Sequence, residues 1–462
     1  MTPLWTSRDI AAATGGEASG DFSVSGATFD SREVGPGDLF IALRGEATDG
    51  HRFVGKAVDA GAAGLLVSEA AEAPHVRVAD TMAALNALAA AARARTQAKV
   101  IGVTGSVGKT TTKETLFSAL ERGAPGRVHR SVKSYNNHTG VPLSLSRMPA
   151  GTRFGVFEIG MNHAGEIAAL TRLVRPHVAV ITTIAAAHIE HLGSMEAIAD
   201  AKAEIFEGLE PGGTAVIPFD SPYCGRLRAA AERSGARVVT FGLGDGADAR
   251  ALYTAAAEAG TMVTARVGEA QLSFTIAQPG QHMVSNALAV LAAVEAAGGD
   301  LGLAALALAE LGGLKGRGER HRIPIAGGEA LLIDESYNAN PASMAATLAM
   351  LAEEPGRRVA VLGTMRELGA HSEAAHAALA EPITAAQVSC AILVGEEMAQ
   401  LAGALPPDVE RAHVPDAPAA VAALRERVRP GDAILVKASN GVGLSAVVAA
   451  LADMGAGADR CS

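Results

Sequence analysis

The run Val100-Ile-Gly-Val-Thr-Gly-Ser-Val-Gly-Lys-Thr-Thr-Thr112 sets glycines, a lysine and hydroxyl side chains between an apolar stretch of strand length and a helical pattern carrying Leu116, Phe117 and Leu120. That order suits a polyphosphate. Glycine lets the N–H groups of Gly105, Ser106, Val107 and Gly108 close around phosphate oxygens, and a helix N-terminus adds positive potential. Lys109 can reach the outer phosphates, and Thr110, followed by Thr111, can offer its hydroxyl to Mg²⁺. A strict G-x-x-x-x-G-K-[ST] loop would have glycine at 103. This chain has Val103 there and its first loop glycine at Gly105, so the loop is a variant. A glycine turn with a chance lysine is the alternative, and the strand–loop–helix context weighs against it.

Three more residues could serve the same site. Glu158 stands near the end of the strand-like run 154–159, and His188 follows the run 177–184. Ligands of open α/β sheets gather at the carboxyl ends of strands, so both point toward the edge that carries the phosphate loop, although either could be an ordinary loop residue. Lys202 falls in the spacing Ile198, Lys202, Ile205, Phe206, Leu209, on the apolar face of a helix expected over 195–209. It is either a snorkelling lysine or a partly desolvated amine whose neutral form is favoured. A neutral amine can combine with CO₂ to form a carbamate, which would convert a cation into an oxygen ligand for Mg²⁺. Histidine is an unusual Mg²⁺ ligand, so Mn²⁺ is an expected substitute.

The elements that must hold these residues read as an α/β chain. At about 100–200 residues per domain, 462 residues predict several domains with ample core. With 49% hydrophobic residues but only 3% aromatic, the composition favours helices alternating with buried strands. Three segments follow: 1–98, 99–320 and 321–462. The central one alternates strand and helix as a P-loop-type parallel sheet would, and the last repeats the alternation. Asn340 before Pro341 reads as a helix N-cap. A net charge of −10 disfavours general nucleic-acid binding. Cys224, Cys390 and Cys461 have neither metal-ligand nor redox spacing and read as buried or incidental thiols. The N-terminal residues show no signal-peptide pattern. The apolar stretch 283–311 is interrupted by Asn286, Glu295 and Asp300, as packed helices would be, so no membrane insertion is expected.

Several ordered segments resemble the Mur ligase family along nearly the whole chain: Asp30-Ser-Arg-Glu-Val-Gly-Pro-Gly-Asp-Leu-Phe-Ile-Ala-Leu-Arg-Gly45, the phosphate loop, Asn136-Asn-His-Thr-Gly-Val-Pro-Leu143, Glu158-Ile-Gly-Met-Asn-His-Ala-Gly-Glu166, Ala201-Lys-Ala-Glu-Ile-Phe206 and Asp334-Glu-Ser-Tyr-Asn-Ala-Asn-Pro341. The resemblance implies a UDP-sugar-binding first domain, a central ATPase domain and a C-terminal Rossmann-like domain that receives a dipeptide. Tyr337-Asn-Ala-Asn-Pro341 and the Asn136 segment resemble the member that adds D-alanyl-D-alanine to UDP-N-acetylmuramoyl-tripeptide. That activity would be ATP-dependent, proceed through an acyl phosphate, and belong to a cytoplasmic, monomeric enzyme of peptidoglycan precursor synthesis.

By the same resemblance, Lys109 and Thr110 grip ATP and Mg²⁺, Glu158 and His188 help hold metal, and Lys202 matches a carbamylated lysine. His282 and Asn286 would meet the adenine, Arg317 the γ-phosphate, and Asp334 and Asn338 the nucleotide. Ser31 and Arg32 fall in the uridine segment, and Asn136, Asn137 and Thr139 where the muramoyl peptide lies. On the residues alone, Arg317 could be a hinge charge and is easily confused with Arg320, Asp334 could be a strand-end cap, and His282 a core histidine. Met283, Thr364 and the run Lys437-Ala-Ser-Asn440 depart from the family pattern. Rival readings are a P-loop kinase, a sister ligase that adds a single amino acid, and a non-catalytic UDP-sugar binder.

Overall fold

A computed structural model describes residues 3–45, 48–257 and 260–458, with side chains described as far as Ala452; Cys461 lies outside this set. Among the described residues the strands form three main sheets. The first has the order Glu17–Ala18, His75–Arg77, Gly64–Val67, Asp38–Ile41, Gly26–Thr28, and the helix Thr81–Ala94 packs its Leu85 and Leu88 into the same core. Asp80 caps that helix through the N–H groups of Met82 and Ala83. Buried Arg93, near the end of the helix, donates to the carbonyls of Val174 and Arg175 at 2.9 and 2.8 Å, tying the first unit to the second.

The second sheet positions the phosphate loop. Its parallel core runs Arg237–Gly242, Thr214–Pro218, Val178–Ile181, Lys99–Thr104, Phe154–Glu158, Val128–Arg130. The loop-bearing strand Lys99–Thr104 lies between the strand that precedes His188 and the one that ends at Glu158. Its neighbours are therefore reached in opposite directions, which opens a crevice at the carboxyl edge. Val103, found where a strict loop has glycine, is fully buried and still in strand, paired in register with Glu158 and Val180. The loop begins two residues later, so no glycine is required at 103.

Beyond the parallel core, Ala249–Ala257, Gly260–Val267 and Ala270–Ile276 extend the sheet as an antiparallel meander that the sequence reading did not foresee. The first of these strands is rich in alanine, a helix former, and cross-strand pairing overrides that preference. The apolar stretch beginning at Met283 forms the helices Gln281–Ala296 and Leu301–Glu310, and no described helix is long and apolar enough to cross a membrane. The expected helix 195–209 is corrected: Ser194 caps Met195–Ala203, which then tightens into a 3₁₀ turn over Glu204–Gly208.

The third sheet has the order Glu319–Ile325, Gly328–Glu335, Ala433–Lys437, Arg358–Gly363, Cys390–Val394, Glu410–Val414, parallel except at the first strand. The antiparallel edge strand begins at Glu319, two residues before the division expected after 320. Asn340 and Ser343 form a reciprocal capping box around Pro341, as the sequence indicates. Cys390 is buried and Cys224 partly so, both as free thiols.

His129, on the edge strand that leads into the substrate-side loop, bonds through Nε2 to the Ser144 carbonyl at 2.7 Å, and burial depresses its pKa from 6.5 to about 4. The unfolded chain therefore binds this proton more tightly. The contribution of neutral His129 is complete above pH 6.5 and is lost as pH falls from 6.5 toward 4. At pH 5 the unfolding free energy of the wild type, from denaturant titration, should have fallen by about 2 kcal/mol more than that of His129→Gln.

Candidate functional site

The phosphate loop is pinned from behind. Ser106 N donates to the Thr183 carbonyl (2.8 Å), Ser106 Oγ to the Ala185 carbonyl (2.8 Å), and Thr182 Oγ1 to the Val107 carbonyl (2.6 Å). The segment after the strand Val178–Ile181 thus fixes both the loop and the approach to His188. Gly105 has φ +149, and a Cβ there would lie 1.9 Å from Thr182 Oγ1. Gly108, at φ +85, precedes the helix Lys109–Gly123. Lys109 donates to the Gly105 carbonyl at 2.8 Å, and burial lowers its pKa, opposed by the negative charges of Glu158 and Glu367. A bound anion would oppose that depression by its charge.

Beside the loop, Glu158 is fully buried at its strand end. Its two oxygens accept from Thr110 Oγ1 at 2.8 Å and from Asn136 Nδ2 at 2.7 Å. The carboxylate so joins the nucleotide loop to the 131–137 segment. Lys202 opens onto the same cavity while being 1% exposed. Burial first, and the charge of Lys109 second, hold its pKa well below the ordinary lysine range, and no acidic partner opposes them. The desolvated-amine reading stands, and the snorkelling one does not. His188 adopts φ +60, and its Nδ1 sits 2.5 Å from Glu367 Oε2, off the axis of an in-line hydrogen bond. Glu367 comes from the third sheet, also with positive φ, and the contact lowers its pKa.

The opposite wall comes from the loop before the third sheet and from the ends of its strands. Arg317 faces the cavity with its guanidinium 4.0 Å from the centroid of the Tyr337 ring. Arg320 instead pairs with Glu354 at 2.6 Å, away from this wall, which resolves the two arginines. Asn338, His282 and Asn286 line the cavity, as do Ser106 through Thr111, Asn136 and Asn137. Burial lowers the His282 pKa.

Other expected residues are elsewhere. Asp334 does not line the wall; its carboxylate accepts from the N–H groups of Gly316 (2.9 Å) and Ser336 (3.0 Å), so it shapes the Arg317 loop. It serves as a strand-end cap behind Arg317. Thr139 is off the wall and bonds to Asn137. Ser31 and Arg32 also lie outside the cavity, with Arg32 paired to Asp30 at 2.6 Å and that carboxyl pKa lowered to about 2.

Comparison with known proteins decides the family. Residues 103–294 match the Mur ligase middle domain, 316–440 the Mur ligase glutamate ligase domain, and 23–103 the Mur ligase family catalytic domain. The UDP-N-acetylmuramoyl-tripeptide–D-alanyl-D-alanine ligase of Synechocystis is 37% identical over 93% of this chain and 92% of its own length. The chain belongs to the Mur ligase family. The Escherichia coli ligase of the same name is 36% identical over 95% and 96% of the two chains. Among solved structures, MurF from Acinetobacter baumannii superposes with a TM-score of 0.85 at 30% identity, covering 98% and 99% of the two chains. MurF from Thermotoga maritima, in complex with ADP, gives 0.78 at 27%, covering 94% and 99%.

In this Mur ligase, sequence reasoning missed Ser134, Gln278, Glu335 and Tyr337 on the cavity wall, and placed Lys437 only in a departing segment. Lys437 and Glu335 form a 3.2 Å ion pair at the carboxyl ends of adjacent parallel strands, and Lys437 also donates to the Asn338 carbonyl at 2.9 Å. The strand-end rule that selected Glu158 would have selected both. Gly105→Ala should weaken binding of a non-hydrolysable ATP analogue by at least about tenfold, because its Cβ would force the loop off Thr182. Calorimetric titration checks this.

Proposed function

We infer that this chain is the ATP-dependent ligase that joins D-alanyl-D-alanine to UDP-N-acetylmuramoyl-tripeptide. The observation that carries the reading is one cavity shared by the phosphate loop, the Thr110–Glu158–Asn136 contact, the desolvated Lys202 and Arg317. The full-length likeness to ligases of that name supplies the substrates. A kinase would need the phosphate loop but not the third-sheet wall that faces it.

In this reading residues 1–98 hold the UDP sugar, 99–320 bind ATP, and 321–462 receive the dipeptide. The tripeptide carboxylate attacks the γ-phosphorus and ADP leaves, giving an acyl phosphate. A carboxylate is a poor acyl donor, whereas phosphate is a good leaving group. The dipeptide's neutral amine then adds to the acyl carbon, and the tetrahedral intermediate collapses to amide and phosphate with loss of one proton from nitrogen. The main obstacle to the first step is the approach of two anions. Lys109 and Arg317 supply positive charge from opposite walls. Asn136 and Asn137 position the peptide, and His282 and Asn286 flank the adenine.

The adjacent oxygen donors Thr110 and Glu158 would hold Mg²⁺, or Mn²⁺ in its place, with His188 and a carbamylated Lys202 completing the set, and the ion would neutralise phosphate charge. Lys202 is fitted for the carbamate because its unprotonated nitrogen can bond to CO₂ and release a proton. The third-sheet wall keeps water from the acyl phosphate. The enzyme acts as a monomer in the cytoplasm.

Phosphate release from ATP with UDP-muramoyl-tripeptide should require D-alanyl-D-alanine, and the product mass should rise by one dipeptide less water. Release indifferent to the dipeptide would defeat this acceptor assignment. Lys202→Arg keeps a long basic side chain but cannot become a carbamate, and should lower kcat by about a hundredfold or more. Chelation with EDTA should abolish turnover, and Mg²⁺ or Mn²⁺ should restore it.

A further inference from the structure

The helical spacing that places Lys202 on an apolar face does the same for a lysine that the mechanism above leaves unused. Lys113 stands three residues before Leu116 and seven before Leu120 on the phosphate-loop helix, and its side chain is fully buried. Its Nζ donates to the carbonyl oxygens of Lys133 and, at 3.4 Å, Ser131, and lies 2.8 Å from Glu114 Oε1. The second Glu114 oxygen takes Arg130 Nε at 2.9 Å. Packing alone would be met by a leucine. A buried cation is costly unless its donors are used, and here they go to Glu114 and to two carbonyls of one loop.

That loop touches both substrate ends. Ser131 Oγ accepts from the N–H of Glu158 at 2.9 Å, Ser134 Oγ lies 3.5 Å from Thr110 Oγ1, and Asn136 holds the Glu158 carboxylate. On the far side, Lys133 has φ +48, the left-handed region that residues with a Cβ seldom occupy. Its ammonium pairs with Glu33, to which Tyr135 Oη also donates at 3.3 Å. Glu33 directly follows Ser31 and Arg32 in the first unit. Lys133 is thus held by its carbonyl from the nucleotide helix and by its side chain from the sugar-nucleotide segment.

We propose that Lys113 is a positioning residue that fixes segment 131–137 against the phosphate-loop helix, and that the Lys113–Lys133–Glu33 chain couples occupancy of the UDP-sugar end to occupancy of the ATP end. The inference rests on the ligase reading for the identity of the two ligands. Three residues in contact across two units make a physical connection through which one ligand's ordering of the loop favours the other.

The test uses the full chain as wild type, Lys113→Met and Glu33→Gln. A non-hydrolysable ATP analogue and UDP-muramoyl-tripeptide are titrated calorimetrically, each alone and each in the presence of the other, and kcat and KM are measured alongside. In the wild type each ligand should tighten the other about tenfold. Both variants should bring that ratio close to one and raise the KM for the sugar nucleotide, while affinity for the analogue alone changes by less than about threefold. A variant ratio equal to that of the wild type overturns the proposal, as does analogue affinity falling together with the melting temperature at an unchanged ratio. Should Lys113→Met fail to fold, Glu33→Gln decides by the same ratio. Sugar-nucleotide binding without coupling in the wild type defeats this inference alone, whereas no sugar-nucleotide binding defeats the substrate reading and this inference with it.

Discussion

A carboxylate with no access to water must be satisfied by the protein, and Glu158 is satisfied by residues from two other segments. Thr110 reaches it from the first turn of the phosphate-loop helix, and Asn136 from the loop that precedes the Gly140–Ser146 helix. Unpaired, this charge would be strongly destabilising, so the fold that buries it must also bring those two side chains to it. The strand register makes this feasible, because Glu158 stands level with Val103 just before the loop starts. One buried charge therefore fixes where the phosphate loop and the 131–137 segment meet.

The site also depends on a second sheet that shares no strand with the first. The Arg317 loop is shaped by Asp334, whose oxygens are occupied by backbone N–H groups on both sides of the bend. Lys437 secures the neighbouring Asn338 segment through its carbonyl and through Glu335. Asp334 acts from behind the wall and Lys437 and Glu335 from within it, and together they set the position of Arg317 and Asn338. The family likeness names the residues on the wall, and the hydrogen bonds show why the wall holds its shape.

Much of this was legible in the chain itself. Loop glycines, strand-end placement and helical spacing are local signals, and they found Lys109, Thr110, Glu158, His188 and Lys202 with the correct edge of the sheet. The signal failed where geometry is set by partners distant in sequence. Nothing local distinguishes an aspartate that caps a loop from one that faces the cavity, so the capping bonds of Asp334 show only in the fold. The alanine-rich strand Ala249–Ala257 carries helical composition and is extended only because Gly260–Val267 pairs with it. Lys113 carried the same periodic signal as Lys202 and was passed over because the partners that tie it to another segment are carbonyls, which leave no trace in side-chain chemistry.

Lys109 is attended by two carboxylates, Glu158 from its own sheet and Glu367 from across the cavity, each of which favours its charged form. Neither forms an ion pair with the ammonium, which donates to the Gly105 carbonyl, and burial still lowers its pKa, so an arriving anion meets a cation that the protein leaves only partly compensated. Glu158 is buried and held by two hydrogen bonds, and it stays. Glu367 belongs to the opposite wall and meets His188, so negative charge arriving at Lys109 enters beside a contact between the two halves of the cleft.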